Sequence, residues 1–323
     1  MRELSFTEAI REALQEEMRR DSSVYVIGLD VGIRAGVPKV TTGLEEEFGS
    51  DRLINTPIAE GIIAGSSVGA ALMGMRPVAE VIVADFLSAT MEAMFTNASK
   101  ARYVSDGEAK VPMVLRVRVG GAGQYTASVE AWFVHVPGIK VVMPSTPYDA
   151  KGLLKSSIRD DNPVVFFEHG SLHQDSRGPV PEEEYTIPLG VADIKREGSD
   201  VTIVATAKMV HEALAAAEEL AGESISLEVV DLRCPYPIDK RMILNSVKKT
   251  GRLIVTHQAW KTAGIGAEIS TIVAEEAFSA LKAPIVRVAT PDVPVPFNYP
   301  LQRLILPTKD SIIAAVKEVL SPS

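Results

Sequence analysis

Cysteine is almost absent from this 323-residue chain, which contains only Cys234. A single cysteine cannot form an internal disulfide and cannot build a cysteine-based zinc site, so both are excluded. The chain must therefore rely on a hydrophobic core, and 323 residues are enough for two well-buried ones. Low cysteine content is typical of a reducing compartment, and we expect this protein in the cytoplasm.

Long apolar runs and clusters of basic residues are also lacking. The longest apolar stretch, residues 61–75, is rich in Gly and Ala, is short for a bilayer span and is interrupted by Ser66 and Ser67. We interpret it as a buried helix and expect no membrane association. The net charge is -9, and Lys and Arg are scattered along the chain, so no electrostatic footprint for nucleic acid is present.

An alternation of β-branched runs and helical patterns is what the sequence does contain. Strands are predicted at "SVYVIGL", "PVAEVIVADF", "PMVLRVRV", "IKVVMPS" and "PVVFFE", with helical patterns at residues 88–103 and 148–158. Such alternation is typical of parallel strands joined by crossover helices. A second, similar series follows "SRGPVPEEEYTIPLG", without an obvious sequence repeat. We predict an α/β protein of two doubly wound domains, residues 1–190 and 191–323.

The stretch "NTPIAEGIIAGSSVGAALMG", residues 55–74, places one carboxylate, Glu60, at the head of an otherwise uncharged helical pattern. Thr56 and Pro57 are helix-start signals, so we predict that a helix begins near Thr56. A capping box would need Glu three residues after the capping Thr, where Ala59 stands, so Glu60 is one residue too late. Favourable interaction with the helix dipole and a direct functional role both remain open.

Motifs along nearly the whole chain resemble one family. They include "GVPKVTTGLEEEFGSDRLINTPIAE", "GMRPVAEVIVADF", "IKVVMPSTPYDAKGLLKSSIRDDNPVVFFE", "GRLIVTH" and "PIVRVATPDVPVP". The chain thereby resembles the β subunit of the thiamine-diphosphate-dependent component of 2-oxo acid dehydrogenase complexes, which act on pyruvate, branched-chain 2-oxo acids or acetoin. The resemblance implies a transketolase-like pyrimidine-binding domain followed by a transketolase-type C-terminal domain.

The resemblance also assigns roles to two residues of the first domain. Glu60 matches the family glutamate that contacts a pyrimidine nitrogen of thiamine diphosphate and so helps the thiazolium carbon to lose its proton. Phe86 matches an aromatic position that packs against the pyrimidine, although a Phe closing a strand can equally be a core residue. Around Glu60, the side chains of Ile58, Ile62 and Ile63 are expected to raise its pKa by desolvation.

Part of the family's cofactor site is missing from the chain. Thiamine enzymes hold the diphosphate through Mg²⁺ with a Gly-Asp-Gly sequence followed by Asn, and "SDGEAK" lacks the first Gly. The resemblance therefore implies that an α subunit holds Mg²⁺ and that the two chains form an α2β2 heterotetramer with the cofactor between them. It further implies a dihydrolipoyl acyltransferase core as partner and a small 2-oxo acid as substrate.

A potassium site in relatives uses mainly backbone carbonyl oxygens, which can bind a hard cation whatever the side chains. An Asp-Asp-Asn-Pro turn is also a routine structural motif, so a purely structural role for this stretch remains open. Glu80 also fits the family pattern, and we expect it to be structural. The positions that match the potassium ligands are Met113, Ser157, Ile158, Asp160 and Asn162.

The chain departs from the family pattern before "EAWF", where relatives carry His-Ser-Gln. Tyr125 takes the place of the His and Ala127 that of the Gln. The Tyr125 hydroxyl can donate a hydrogen bond to an oxyanion, but its ordinary pKa of about 10 makes it a poor proton shuttle. Leu29 and Gln258 replace two acidic residues of the pattern. Beside the 2-oxo acid dehydrogenase, two alternatives stay open: an acetoin-type or non-oxidative thiamine enzyme subunit, and a non-catalytic paralogue that acts as an assembly scaffold.

Overall fold

The computed structural model describes residues 1–32, 40–120 and 127–321. Two compact units divide between Leu189 and Gly190, and residues 127–131 group with the second unit. Among the described residues, no helix is long and apolar enough to cross a membrane.

The first unit is built on a parallel six-stranded sheet with the order β3-β2-β4-β5-β7-β6, and β1 pairs with β8 in a separate antiparallel ribbon. A 3₁₀ segment at Ala84–Thr90 and a π-helical segment at Glu92–Ala98 lead into α4. The elements in chain order are β1 (Arg2–Ser5), α1 (Phe6–Arg20), β2 (Val24–Leu29), α2 (Leu44–Phe48), β3 (Leu53–Thr56), α3 (Glu60–Leu72), β4 (Arg76–Val81), α4 (Ser99–Val104), β5 (Val114–Val119), α5 (Glu130–Val134), β6 (Lys140–Val142), α6 (Pro147–Arg159), β7 (Val164–His169), α7 (Leu172–Asp175) and β8 (Arg177–Val180).

The second unit has a five-stranded sheet with the order β13-β12-β10-β11-β9, in which only β9 is antiparallel to its neighbour. Its core packs α8 against β10 and β11, and α12 against α8, β12 and β13. The elements are β9 (Asp193–Arg196), β10 (Val201–Ala205), α8 (Lys208–Ala221), β11 (Leu227–Asp231), α9 (Lys240–Thr250), β12 (Leu253–Trp260), α10 (Ile265–Glu276), β13 (Val286–Thr290), α11 (Tyr299–Ile305) and α12 (Lys309–Leu320). Two α/β units with parallel sheets confirm the predicted fold class.

Several helix starts follow from local sequence. Ser5 caps α1 in a capping box with Glu8, and Thr146 caps α6 with Pro147 in its first turn. Asp239 accepts a hydrogen bond from the Met242 backbone N–H and caps α9. Each cap satisfies a backbone N–H that the helix itself leaves without an acceptor.

The start of α3 was predicted wrongly. The helix begins at Glu60 rather than near Thr56, because Thr56 extends β3 and pairs in register with Leu29 of β2. The cap position falls on Ala59, which has no side chain able to accept a hydrogen bond. Thr56, which carries the helix-start signal, is therefore part of the sheet and not of the helix.

The prediction that residues 61–75 form a buried helix is also wrong for this chain. Ile63 is buried, but Ile62 is 72 % exposed and Met73 is 85 % exposed. One face of α3 packs on β4 and on the 3₁₀ and π segments, and the opposite face has no cover within the described chain.

Candidate active site

Glu60 lies at the amino end of α3, directly beyond the carboxyl end of β3. Its side chain is partly exposed and makes no hydrogen bond or ion pair with the described part of the chain. The location matches the general rule that ligands of open α/β sheets bind beyond the carboxyl ends of the strands. The helix dipole favours a carboxylate here, and because no described residue bonds to Glu60, its oxygens are available to a ligand.

The expected apolar enclosure of Glu60 does not form within this chain. Ile63 is buried, but Ile58 is 75 % exposed and Ile62 is 72 % exposed. These two side chains point away from the core and do not shield the carboxylate from water. Desolvation of this group would need another molecule to cover the first turn of α3.

Phe86 lies in the 3₁₀ segment after β4, at the same edge of the sheet as Glu60. It is 38 % exposed, so it is not a core residue of this chain. The segment approaches the first turn of α3 closely, since a Cβ on Gly61 would lie 3.0 Å from the backbone oxygen of Ala89. Gly61 thus allows the stretch that carries Phe86 to pack beside the helix end that carries Glu60.

Tyr125 falls outside the described residues. The described chain resumes at Ala127, and a few residues later it places a carboxyl group that sequence reasoning overlooked. Glu130 is fully buried and accepts a hydrogen bond from Ser128 Oγ at 2.7 Å, and burial raises its pKa. Its only sequence signal was its position in "EAWF", directly after the departure from the family pattern.

A buried cluster of charged groups spans β4, β5 and β7 of the first unit. Arg116 on β5 donates to both oxygens of Glu168 at 2.6 and 2.9 Å, and its Nη1 donates to Glu80 at 3.0 Å. His173 Nε2 lies 3.0 Å from Glu168 Oε2, and His173 Nδ1 lies 3.0 Å from the hydroxyl of Thr7. A guanidinium that binds one carboxylate with two hydrogen bonds is geometrically well defined.

The two carboxylates of this cluster differ in how easily they bind a proton. Burial would raise the pKa of Glu168, but Arg116 and His173 outweigh it and lower the pKa to about 2. Glu80 makes only one bond to Arg116, so burial dominates and raises its pKa. The cluster holds three strands together, in line with the structural role expected for Glu80.

The carbonyl oxygens predicted to bind potassium largely have donors within the chain. Arg76 Nη1 donates to the oxygens of Ile158 and Asp160 at 2.9 and 3.1 Å. The oxygen of Met113 accepts from the Val164 N–H at 3.0 Å, and that of Ser157 accepts from the Asp160 N–H at 3.3 Å. A carbonyl oxygen has a second lone pair for a cation.

Two further side chains complete the predicted set around this turn. Asn162 accepts a hydrogen bond at its side-chain oxygen from Arg102 at 3.0 Å, and Asp160 forms an ion pair with Lys140. The described residues contain no group of three His, Cys, Asp or Glu side chains that could hold a metal ion.

His257, within β12 of the second unit, is fully buried. Neither ring nitrogen has a hydrogen-bond partner in the described ranges, although the Ala259 backbone slightly favours the protonated ring. Burial dominates and lowers the pKa of His257 to about 4. The ring packs on the start of α10, because a Cβ on Gly264 would lie 2.5 Å from its Cε1.

Comparison with known proteins gives the same two-part division. Residues 2–174 match the family model "Transketolase, pyrimidine binding domain", and residues 190–312 match "Transketolase, C-terminal domain". A solved structure described as a split gene transketolase, inactive beta4 tetramer, superposes with a TM-score of 0.80, covers 98 % of each chain and is 24 % identical. This likeness concerns the fold.

Three curated relatives align over nearly their full lengths. The 2-oxoisovalerate dehydrogenase subunit beta of Bacillus subtilis is 44 % identical and covers 98 % of each chain. The pyruvate dehydrogenase E1 component subunit beta of the same organism is 45 % identical over 99 % of each chain. The subunit beta of acetoin:2,6-dichlorophenolindophenol oxidoreductase from Cupriavidus necator is 45 % identical over 99 % of this chain and 98 % of its own. The chain therefore belongs to the family of 2-oxo acid dehydrogenase E1 β subunits, built from transketolase pyrimidine-binding and C-terminal domains.

Proposed function

We propose that this chain, together with an α subunit, completes a thiamine-diphosphate site that decarboxylates a 2-oxo acid in the cytoplasm and passes the acyl group to a lipoyl carrier. The observation that carries the proposal is the pairing of Glu60 with Phe86 at one sheet edge. A carboxyl group with no partner among the described residues lies at the same sheet edge as an exposed aromatic ring, and the two suit a flat heterocycle that has a ring nitrogen.

In this proposal Glu60 shares a proton with a pyrimidine nitrogen, and Phe86 packs against the ring. When bound, thiamine diphosphate supplies the nucleophilic carbon that attacks the 2-oxo group. By sharing a proton with the ring nitrogen, Glu60 would stabilise the imino tautomer of the pyrimidine, the form whose exocyclic nitrogen can accept a proton. Covering Ile58 and Ile62 would exclude water from this carboxyl group and strengthen the proton sharing.

An α subunit is the proposed cover. The exposed apolar side chains along α3 support an interface there, since exposed hydrophobic groups that cluster mark protein contacts. The same partner would hold the diphosphate through Mg²⁺, because the chain lacks the Gly-Asp-Gly sequence. We propose an α2β2 heterotetramer with a dihydrolipoyl acyltransferase core as its acceptor.

Potassium is a separate proposal within this function. The second lone pairs on the carbonyl oxygens of Met113, Ser157, Ile158 and Asp160, with that of Asn162, would supply its ligands. Arg76 already places a positive charge beside two of them, so we expect weak binding. Thermal unfolding in KCl and in NaCl at equal ionic strength tests the ion: a higher transition temperature in KCl alone supports it.

The test of the function uses the chain purified from its own source with the α-like subunit that accompanies it. Thiamine-diphosphate-dependent reduction of an artificial electron acceptor is measured with a panel of 2-oxo acids and with acetoin. Reduction with a 2-oxo acid supports the dehydrogenase, and reduction with acetoin alone supports the acetoin-type enzyme, which the 45 % identity to such a subunit favours as second candidate. No reduction by an assembly that has bound the cofactor supports a non-oxidative thiamine enzyme subunit or the scaffold.

A further inference from the structure

Arg118 is a half-buried cation near the carboxyl end of β5, one of the central strands of the first sheet. Arg116 and Arg118 are two residues apart on one strand, so both side chains leave the same face of the sheet. In the parallel register Arg118 lies beside Glu168 of β7. A cross-strand ion pair between these two would be the simplest outcome.

That ion pair does not form. Glu168 uses both oxygens for Arg116 and has His173 as its other neighbour. Arg118 Nε is buried and has no hydrogen-bond partner in the described ranges, and Arg118 forms no ion pair with any described carboxylate. Burial lowers the pKa of Arg118, with no acidic group opposing that shift.

An unpaired guanidinium in a partly dry environment is unfavourable, and proteins rarely retain one without a counter-charge. Arg116, two residues earlier, shows the usual arrangement, because it has two carboxylates. We therefore expect the counter-charge of Arg118 to come from another molecule. A guanidinium binds carboxylate and phosphate groups particularly well, because its donors match their oxygens in pairs.

The position of Arg118 in the fold indicates which kind of molecule supplies this counter-charge. β5 contacts the 3₁₀ segment that carries Phe86, and this segment in turn contacts α3, which begins with Glu60. Arg118 therefore belongs to the same sheet edge as the proposed thiamine site. Because the α subunit is proposed to hold the diphosphate of the cofactor, the anion expected at Arg118 would be part of the substrate.

We propose that Arg118 binds a second anionic group, a carboxylate or a phosphate, at the far end of the donor substrate, so that the donor is a 2-oxo acid with two negative ends. This inference rests on the proposed function. The carboxylate that leaves as CO2 is a poor partner, because it loses its charge in the reaction and a guanidinium would stabilise the ground state more than the transition state. A remote anion keeps its charge throughout, so binding it improves affinity without opposing decarboxylation.

The test compares donors that differ only at the far end. Initial rates of acceptor reduction by the α-containing complex are measured with 2-oxoglutarate, with its 5-(N,N-dimethylamide), which is neutral at the far end and cannot cyclise to a lactam, and with the phosphonate analogue 2-oxo-4-phosphonobutanoate. We expect the wild type to prefer a charged donor over the amide by about 10- to 100-fold in kcat/KM, the range of one charged hydrogen-bonded contact. Whichever of the carboxylate and the phosphonate donor gives the larger kcat/KM identifies the anionic group that Arg118 prefers.

Arg118→Gln should remove this preference through KM, and Arg118→Lys should restore part of it. Equal kcat/KM for acid and amide in the wild type would overturn the proposal, as would an unchanged preference in Arg118→Gln. If Arg118→Gln instead weakens α association on gel filtration and leaves substrate preference intact, the counter-charge is an acidic residue of the α subunit and the proposal is wrong.

Failure of the proposed function has a different signature. In that case no donor, neutral or charged, reduces the acceptor, and calorimetry on the same complex then decides the role of Arg118. Tighter binding of 2-oxoglutarate than of its amide, lost in Arg118→Gln, retains the anion site. Equal binding of the two compounds rejects it.

Discussion

Two carboxylates of the first unit, Glu60 and Glu168, occupy opposite kinds of surroundings. Glu168 is buried and bound by Arg116 through two hydrogen bonds, and its surroundings are complete within the chain. Glu60 begins an uncapped helix beside exposed isoleucines and has no partner among the described residues. The difference separates groups that hold the fold together from groups that await another molecule.

The same distinction applies to the two arginines of β5. Arg116 has two carboxylates, and Arg118 has none within the described chain. Because an unpaired charge in a partly buried position is unfavourable, such a residue points to a role other than the stability of the isolated chain. In this unit the incomplete groups lie at the carboxyl edge of the sheet, where a substrate and a second subunit are proposed to bind.

The strongest test of the contrast is Glu60→Gln. We expect acceptor reduction by the α-containing complex to fall by about 10²- to 10⁴-fold, the usual contribution of a positioned acid or base. The unfolding midpoint of the chain in urea should stay the same, since no described residue bonds to this side chain. A variant that kept wild-type activity would remove Glu60 from the chemistry and favour the scaffold alternative.

Glu168→Gln tests the carboxylate whose partners all lie within the chain. The substitution leaves Arg116 buried with Glu80 alone, so we expect the free energy of unfolding to fall by about 3–5 kcal/mol. Urea unfolding followed by Trp132 fluorescence in a Trp260→Phe background reports on the first unit, because these are the two tryptophans of the chain. Glu47→Gln, which breaks an exposed pair with Arg19 in the same unit, is the matched control and should change stability by less than about 1 kcal/mol. Equal effects of the two substitutions would contradict the structural importance of the buried cluster.

Sequence patterns predicted which helices and strands form far better than they predicted where each begins or which of its faces are buried. The β-branched runs became strands because each is long enough to pair and is buried. The start of α3 was misplaced because pairing between Thr56 and Leu29 is a long-range effect that local capping signals do not contain. Burial of the same helix was overestimated, since small and apolar residues suit a subunit interface as well as a core.

The candidate site could be predicted only in part, because it too depends on long-range contacts. Glu60 and Phe86 were identified by resemblance to a family, and no local pattern distinguished their roles. Arg118 and Glu130 stood in unremarkable stretches, and their interest depends on which neighbours are already engaged. Sequence spacing does not show that Glu168 prefers Arg116 to the arginine directly opposite it.

His257 shares one property with each of these carboxylates. It is buried, as Glu168 is, and its ring nitrogens have no hydrogen-bond partner among the described residues, as is also true of Glu60. Its folded-state pKa of about 4 is below the ordinary 6.5, so between these values the unfolded chain binds more protons. Stability is therefore full above pH 6.5 and falls as the pH drops towards 4, by about 3 kcal/mol for this group. Trp260 fluorescence in a Trp132→Phe background follows the second unit. In His257→Gln the decline from pH 6.5 to 5 should be shallower, and an unchanged slope would assign the decline to other groups.

The smallest effect on the chain itself is expected from Ile62→Gln. Ile62 is exposed and Ile63, its neighbour on α3, is 1 % exposed, so the same substitution at the two positions separates the open face from the core face. Ile63→Gln buries a polar amide and should lower the free energy of unfolding by about 2–5 kcal/mol, whereas Ile62→Gln should change it by less than about 0.5 kcal/mol. If an α subunit covers this face, Ile62→Gln should nevertheless weaken association with it, measured by calorimetry, because a buried apolar contact is lost. Strong destabilisation of the isolated chain by Ile62→Gln would mean that α3 is already covered, and Glu60 would then have to act without a second subunit over it.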